Sequence, residues 1–407
     1  MNNNIIIEAA KKQKFTGISI LQLLIIILIF YAAGSSSCVY DNKNKTVEIN
    51  QTIVIERESI TEEIPKEHSI TFVAAGDNLF HESILRSSFT DGIYDFSHIY
   101  TEIKSIVENA DLAFINQETV MAGESYGYSG YPRFNTPRSL ARTLADTGFD
   151  ILNLANNHAM DMGKDGLYST LDFLDTIQEL TVIGARKEGE SARIITKNNI
   201  TLGFLSYTYG LNGFQTPPDN PNLVSLINTE KMAEEIDELR PLCDFLIVSI
   251  HWGEEYRLEP DRNQLNLAQF FAQHNTDLVI GHHPHVLQRA QTITKEDGGE
   301  TLIIYSLGNF VSQQTQRERI IGGLACLTFT KIDSAPVQLS ISDFGILPVI
   351  THYSRSFANT KIYPLYLYTE DLLSMHGLRS RDSMLDMEFF DSVIKRLDAK
   401  IITQNPF

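Results

Sequence analysis

The feature that most constrains the fold is a pattern that recurs along the chain: an apolar run ends, and Asp, Asn, Glu or His follows at once. Predicted helices separate most of these runs, and strands that alternate with helices favour an α/β architecture. In open α/β sheets, ligands bind beyond the carboxyl ends of the strands. We therefore expect the polar runs to share one edge of a sheet. The predicted strands that carry them are residues 69–75, 111–115, 149–155, 245–250, 277–280 and 301–305.

The densest polar run is Gly281-His282-His283-Pro284-His285, which follows the apolar residues Leu278-Val279-Ile280. The ring nitrogens of a buried imidazole need hydrogen-bond partners, which are hard to supply in a protein core. Core packing alone therefore gives little reason to place three histidines together. Divalent transition metals, in contrast, are bound by neutral imidazole nitrogens that converge on one point. The cluster therefore predicts a metal site.

The other strand ends offer the remaining ligands of a two-metal site, which needs a bridging carboxylate, several imidazoles and an open position for water. Taken singly, each residue also has a structural interpretation, as a turn or helix cap, a surface carboxylate or a core histidine. Their equivalent positions favour the metal site. The candidates are Asp77, Glu118 as a possible bridge, Asn157 beside His158, His251, and the pair His283 and His285.

Six motifs follow one another along the chain: Gly76-Asp77, Asn116-x-Glu118, Asn156-Asn157-His158 with Asp161, His251-Trp252-Gly253, Gly281 to His285, and Ser306 to Phe310. In this order they resemble the CapA/PgsA family of bacterial capsule (poly-γ-glutamate) synthesis proteins, which is similar to the calcineurin-like metallophosphoesterases. The resemblance covers about residues 70–325.

The resemblance implies a β-sandwich flanked by helices and two divalent ions, with Mn, Fe, Zn and Mg equally compatible. It implies that His158 is an acid or transition-state donor oriented by Asp161. Because the histidine is doubled, His282 could replace one of its neighbours as a ligand. The metal ligands that it implies are Asp77, Glu118, Asn157, His251, His283 and His285, with Asn156 and Asn309 as further candidates.

Two departures leave the activity open. Metallophosphoesterases typically begin with Asp-x-His, but Asp77-Asn78-Leu79 lacks that histidine, and His81 is the nearest replacement. Glu118 stands where those enzymes have Asp. One of the two ions could therefore be weaker, different or absent, and phosphatase activity does not follow automatically.

The formal net charge of −18 argues against nucleic-acid binding, for which a basic face is expected. An anionic polymer would also be repelled, except where a bound cation reverses the local field. Three functions stay open: capsule assembly or export together with other membrane proteins and a polymer such as poly-γ-glutamate, metal-dependent hydrolysis of phosphoester or amide-like bonds, and non-catalytic binding of an anionic polymer.

The amino terminus predicts a membrane location with the main domain outside the cytoplasm. Residues 1–14 include lysines that should stay in the cytoplasm, and the apolar residues 15–34 are long enough to cross a bilayer. An uncleaved anchor, a lipoprotein modified at Cys38 and free secretion all remain possible. Residues 35–68 read as a polar stalk, 69–330 as the metallophosphoesterase-like domain, and 331–407 as strands and a helix that complete it.

Overall fold

A computed structural model of the protein describes residues 7–16, 36–41, 43, 46–55, 65–189, 192–355 and 357–407. The chain divides into two compact units, Met1–Ile64 and Pro65–Phe407. The strands are β1 Ile7–Thr16, β2 Ser36–Asp41, β3 Thr46–Ile55, β4 Glu67–Asn78, β5 Phe89–Thr90, β6 Ile93–Tyr94, β7 Leu112–Gln117, β8 Ile151–Asn153, β9 Thr181–Ile183, β10 Arg193–Lys197, β11 Ile200–Thr208, β12 Phe245–His251, β13 Leu278–His282, β14 Ala290–Thr294, β15 Glu300–Ile304, β16 Asn309–Val311, β17 Ile321–Ile332, β18 Gln338–His352 and β19 Lys361–Pro364.

The helices all lie in the second unit as far as the described residues go. Five short 3-10 turns accompany them at 97–99, 124–126, 240–242, 317–319 and 365–367. The α-helices are α1 Glu82–Ser87, α2 Lys104–Asn109, α3 Ser139–Thr147, α4 Gly163–Leu174, α5 Thr229–Leu239, α6 Arg262–Gln273, α7 Glu370–Met375 and α8 Met387–Lys395.

Strands β1, β3 and β2 form an antiparallel sheet in that order in the first unit. Most of the predicted membrane segment, residues 17–34, lies outside the described residues. The predicted stalk contains β2 and β3, and its last two residues begin β4. Within the described parts of the chain, no helix combines the length and the apolar character that crossing a bilayer requires.

The second unit is built on two mixed sheets, which confirms the predicted α/β architecture with central sheets. One sheet has the order β19-β18-β17-β4-β7-β8-β9, with β16 paired to β4, and the other has the order β10-β11-β12-β13-β15-β14. The central strands β4, β7, β8 and β9 are mutually parallel, as are β11, β12, β13 and β15. Their carboxyl ends therefore collect polar residues at one edge of each sheet.

Side-chain alternation explains how the sheets pack. In β4, Phe72 and Ala74 join a buried cluster that includes residues of both sheets, whereas Val73 and Ala75 face a cluster shared with helices α2, α3 and α4. The second sheet contributes Ile247 of β12 to the shared cluster and turns its other face to α5 and α6. The two sheets are therefore packed on each other and flanked by helices on both outer faces.

The helices begin where local chemistry favours it. The Asn228 side chain accepts a hydrogen bond from the Lys231 amide and caps α5, and Asp261 forms a capping box with Gln264 at the start of α6. Helix α5 buries Met232, Ile236 and Leu239, which are spaced to share one helical face.

Strands β18 and β19 of the carboxyl-terminal segment 331–407 belong to the same sheet as β17 and β4. Strand β17 crosses the predicted boundary at residue 330 because it pairs along its length with both β4 and β18. The carboxyl-terminal segment contributes buried residues to the core between the sheets, among them Leu378 and Phe390.

Candidate metal centre

The polar strand ends predicted from the sequence meet in one place. Asp77 lies at the end of β4, Glu118 follows β7 and His251 ends β12. The close approach at Asp77 depends on Gly76, because a Cβ atom there would stand 2.1 Å from the Gly308 carbonyl oxygen. The Asp77 amide donates to that same carbonyl at 2.9 Å. The backbone at Gly308, directly before β16, therefore fixes the position of Asp77.

Asp77 is fully buried, and donors surround its carboxylate. The side-chain amide of Asn116 donates from Nδ2 to Asp77 Oδ1 at 2.8 Å, and Nδ2 of Asn153 in turn donates to Oδ1 of Asn116 at 2.8 Å. On the other side, His285 Nδ1 lies 3.0 Å from Oδ2 and the His283 amide lies 3.3 Å from it. The carboxylate is therefore held between the ends of the two sheets.

Glu118 is equally buried, but neither of its carboxylate oxygens has a hydrogen-bond partner among the described residues. Its Oε1 lies 3.6 Å from His251 Nε2 and 3.7 Å from His285 Nε2. Burying a carboxylate without hydrogen bonds is strongly unfavourable unless a cation or a proton compensates its charge. This orphaned carboxylate lies between two imidazoles, an arrangement that suits a divalent cation.

His251 and His283 face each other, with ring centroids 4.7 Å apart. Asn157 Oδ1 lies 3.0 Å from His251 Nε2, which brings an amide oxygen into the same group. His283 and His285 both have left-handed backbone conformations, with φ of 95° and 59°. Such conformations are strained for residues other than glycine and tend to persist at functional sites.

Three groups of side chains bring ligand atoms within 4.8 Å of one another and can hold a metal ion. Glu118 belongs to two of them, as a bridging ligand would, and the two histidines of the His-x-His pair are each shared as well. The groups are Asp77 with Glu118 and His285, Glu118 with His251 and His283, and Glu255 with His283 and His285.

The side chains of this cluster change one another's pKa values. Burial and the charge of Asp77 raise the pKa of Glu118, whereas burial lowers the pKa of His283 to about 3. Burial opposes protonation of His285 as well, but the neighbouring carboxylates, Glu118 first, raise the pKa of His285 to about 9. A divalent cation would replace such protons, because metals bind deprotonated carboxylates and neutral imidazoles.

His158 stands next to the cluster and is held in a defined orientation. Its Nδ1 donates to Asp161 Oδ2 at 2.8 Å, and the Phe134 amide donates to the same oxygen at 2.7 Å. The Phe134 ring packs edge-on against the imidazole, with centroids 4.7 Å apart. Asn156 accepts from the His158 amide at 3.1 Å, so its side chain shapes the turn that carries His158.

Three further candidates lie near the cluster, and neither of the two histidines among them belongs to a convergent group of ligand atoms in the described part of the chain. His282 is fully buried, stacks on Phe114, and has Nδ1 3.5 Å from Asp77 Oδ1. His81 Nδ1 lies 3.3 Å from the Leu79 carbonyl oxygen, and burial lowers the pKa of His81 to about 4. The side-chain amide of Asn309 donates from Nδ2 to the Arg319 carbonyl oxygen at 2.9 Å.

Sequence reasoning missed one residue of these groups, Glu255. It lies in the loop after β12, four positions beyond His251, and its carboxylate is exposed. No periodicity or strand end marks it. The sequence marks it only by its place in the run His251-Trp252-Gly253-Glu254-Glu255, of which His251 alone was predicted to be a metal ligand.

Solved structures resemble this chain only distantly. A putative 5'-nucleotidase from Staphylococcus aureus is 17% identical with a TM-score of 0.44, and the match covers 77% of this chain and 58% of that one. The NAD nucleotidase of Haemophilus influenzae is 12% identical with a TM-score of 0.42, and the match covers 81% of this chain and 68% of that one.

Two curated relatives are closer in sequence. The "PGA biosynthesis protein CapA" of Bacillus subtilis is 33% identical over 184 residues, which are 44% of this chain and 47% of that protein. The "Capsule biosynthesis protein CapA" of Bacillus anthracis is 28% identical over 270 residues, which are 63% of this chain and 61% of that protein. The matched regions thus span about half to three fifths of the relatives' length.

The family profile described as "Bacterial capsule synthesis protein PGA_cap" matches residues 71–314, well over half of the chain. This region contains every residue of the three convergent groups. The resemblance inferred from the six motifs is therefore confirmed, and the chain belongs to the PGA_cap family of bacterial capsule synthesis proteins.

Proposed function

We propose that this protein works in the cell envelope in the synthesis or export of a capsule polymer such as poly-γ-glutamate. Membership of the capsule synthesis family and the names of both Bacillus relatives support this assignment. Residues 15–34 would hold the chain at the membrane, and its main domain would meet the anionic polymer and other membrane-bound synthesis proteins outside the cytoplasm.

The main domain would carry out this work with two divalent ions. In our proposal, Asp77, Glu118 and His285 hold one ion, and Glu118, Asn157, His251 and His283 hold the other. The observation that carries this proposal is the Glu118 carboxylate, buried and unpartnered within the described part of the chain, between imidazoles that approach it from two strands. A bridging carboxylate is the ligand that a pair of cations requires at that point.

Bound there, a pair of divalent ions would lower the pKa of a water molecule and polarise a phosphoryl or carbonyl oxygen. The chain's own contribution is orientation and proton transfer. Because Asp161 accepts a hydrogen bond from His158 Nδ1, the ring is held in one orientation and Nε2 is left as the nitrogen that would transfer a proton. This built donor favours metal-dependent hydrolysis as the second candidate function. Clamping of polymer carboxylates without cleavage is the remaining alternative.

The decisive experiment uses the full-length chain, loaded with Mn²⁺ after treatment with a chelator. Two bound ions are expected, and a Glu118→Ala substitution should abolish both metal binding and capsule formation in the cells that use this protein. Turnover of a generic phosphodiester or monoester that is lost in His158→Ala would favour hydrolysis, whereas metal-dependent polyglutamate binding without turnover would favour clamping. A wild-type chain that binds no metal contradicts the proposal.

A further inference from the structure

We propose that Glu255 is an additional metal ligand that closes the centre from its solvent side. This inference rests on the proposed metal-dependent function and adds a ligand from the loop that follows β12. Asp77, Glu118 and His285 supply three ligand atoms, and a divalent ion takes at least four, which leaves room for a further ligand. Glu255 lies in a convergent group with the same His285.

The first support is the convergence of ligand atoms. A Glu255 carboxylate oxygen and one nitrogen each of His283 and His285 lie within 4.8 Å of one another. Both histidines are almost completely buried, and His283 Nδ1 has no hydrogen-bond partner among the residues that the structure describes. The exposed carboxylate therefore stands opposite buried nitrogen atoms, which an acidic surface patch alone would not provide.

The second support is that the backbone fixes Glu255 over the centre. The amide of Tyr256 donates to the Pro284 carbonyl oxygen at 2.8 Å, which ties the peptide next to Glu255 to the turn between the two histidines. Tyr256 has a left-handed backbone, with φ of 67°, and its ring lies 6.0 Å from the His285 ring. The Arg319 guanidinium lies over the Tyr256 ring, 3.2 Å from the centroid of that ring.

These contacts make the loop a fixed part of the centre. Tyr256 is held between Arg319 and the turn at Pro284, and Glu255 precedes it directly, so the backbone that carries the Glu255 side chain needs little ordering when an ion binds. A ligand that is already ordered loses little conformational entropy on binding, which strengthens its contribution to affinity.

The adjacent Glu254 is a matched control within the same loop. Its side chain is 70% exposed and forms an ion pair with Arg257 at 3.3 Å, and it belongs to no convergent group of ligand atoms within the described ranges. Exposed ion pairs of this kind contribute little to stability. Removing the charge of Glu254 therefore tests the general effect of one negative charge in this loop.

The test measures Mn²⁺ binding to the full-length wild-type chain, Glu255→Gln and Glu254→Gln by isothermal titration calorimetry and by metal analysis. We expect two ions in the wild type and in Glu254→Gln. Glu255→Gln should lose one ion or bind it at least about tenfold more weakly. Because Glu255 is exposed, its substitution should leave thermal unfolding in a chelator unchanged, which separates loss of a ligand from loss of the fold.

Two outcomes overturn different claims. If Glu255→Gln binds two ions with wild-type affinities, Glu255 is not a ligand and the proposed centre stands without it. If the wild-type chain itself binds no Mn²⁺, the proposed function fails and the inference fails with it. Anomalous diffraction from a Mn²⁺-loaded crystal gives an independent reading, since a Glu255 oxygen at bonding distance from an ion is required.

Discussion

At the scale of single residues, Glu118 determines how the centre behaves with and without metal. Its buried carboxylate shares a cluster with Asp77, and burial and that neighbouring charge both raise its pKa. The same carboxylate that favours a cation therefore destabilises the metal-free fold. Stability and metal binding should respond to its substitution in opposite directions.

The prediction concerns Glu118→Gln, which removes the charge and keeps the shape. In a chelator, the variant should unfold at the wild-type temperature or above it, because the amide no longer buries an uncompensated charge. With Mn²⁺ at a hundred times its dissociation constant, the wild type should gain about 2.7 kcal/mol for each ion and the variant much less. Thermal unfolding with and without Mn²⁺ measures both effects, and an equal gain in the variant would contradict the bridging role.

Asp161 is predicted to act through His158 rather than on the metal. Asp161→Asn removes the negative charge that faces His158 Nδ1 at 2.8 Å and replaces one of the two acceptor oxygens by an NH₂ donor. If the centre hydrolyses phosphoesters, turnover should fall by about 10²–10⁴-fold, the range expected for loss of a positioned acid. Mn²⁺ content should stay at the wild-type level. A matching loss of metal would instead place Asp161 in the metal-binding structure.

At the scale of elements, glycines at the strand ends allow the two sheets to deliver their ligands. A Cβ atom on Gly281, at the end of β13, would stand 2.1 Å from the Tyr305 carbonyl oxygen and 2.6 Å from Trp252 Nε1. Both neighbours are fixed, because Trp252 Nε1 donates to that same carbonyl. A side chain at residue 281 must therefore displace the start of the segment that carries His282, His283 and His285.

Gly281→Ala is accordingly predicted to lower the free energy of unfolding by about 1–3 kcal/mol, the usual range for overpacking a rigid core. It should also weaken Mn²⁺ binding. Gly210→Ala is the control, because no heavy atom lies within 4 Å of its added Cβ and its φ is not in the left-handed region. Urea unfolding in a chelator measures the difference, and equal stability of the two variants would refute the steric argument.

The elements also show what the sequence can predict. The spacing of apolar residues over 229–239 predicts a helix, and the structure has a helix with those bounds, because Asn228 caps it and three apolar residues define one face. The sequence gives no comparable signal for strand β14, since Ala290–Thr294 is an edge strand with only two buried residues. The spacing over residues 99–109 also predicts a helix, but the α-helix begins only at Lys104, after a 3-10 turn at 97–99.

The candidate site was predictable where strands end and not where loops fold back. Asp77, Glu118 and His251 are recognisable because each follows an apolar run, and the structure brings them together. Glu255 is brought to the same centre by the backbone hydrogen bond from the Tyr256 amide to the Pro284 carbonyl oxygen. This is a contact between two loops, and no local sequence pattern predicts it. Their roles as ligands stay predictions until metal is measured.

At the scale of the whole molecule, hydrogen bonds of His376, whose side chain is 1% exposed, connect the carboxyl-terminal segment to the sheet. The Leu378 amide donates to His376 Nδ1 at 3.0 Å, and His376 Nε2 lies 3.2 Å from the Thr351 carbonyl oxygen. Nδ1 accepts and Nε2 donates, so these contacts require the neutral ring. A second proton on Nδ1 would face the Leu378 N–H group.

Acid should therefore weaken the fold through this residue. Burial lowers the pKa of His376 to about 4, below the ordinary value of 6.5, so the unfolded chain binds this proton more readily than the folded one. The resulting stability is complete above pH 6.5 and is lost as the pH falls toward 4, by about 3 kcal/mol in all. His376→Gln keeps an acceptor and a donor but cannot titrate. Urea unfolding in a chelator between pH 7 and pH 4 should show the wild type losing its advantage over the variant across this range. A stability difference that does not change with pH would mean that the folded protein accommodates the protonated ring.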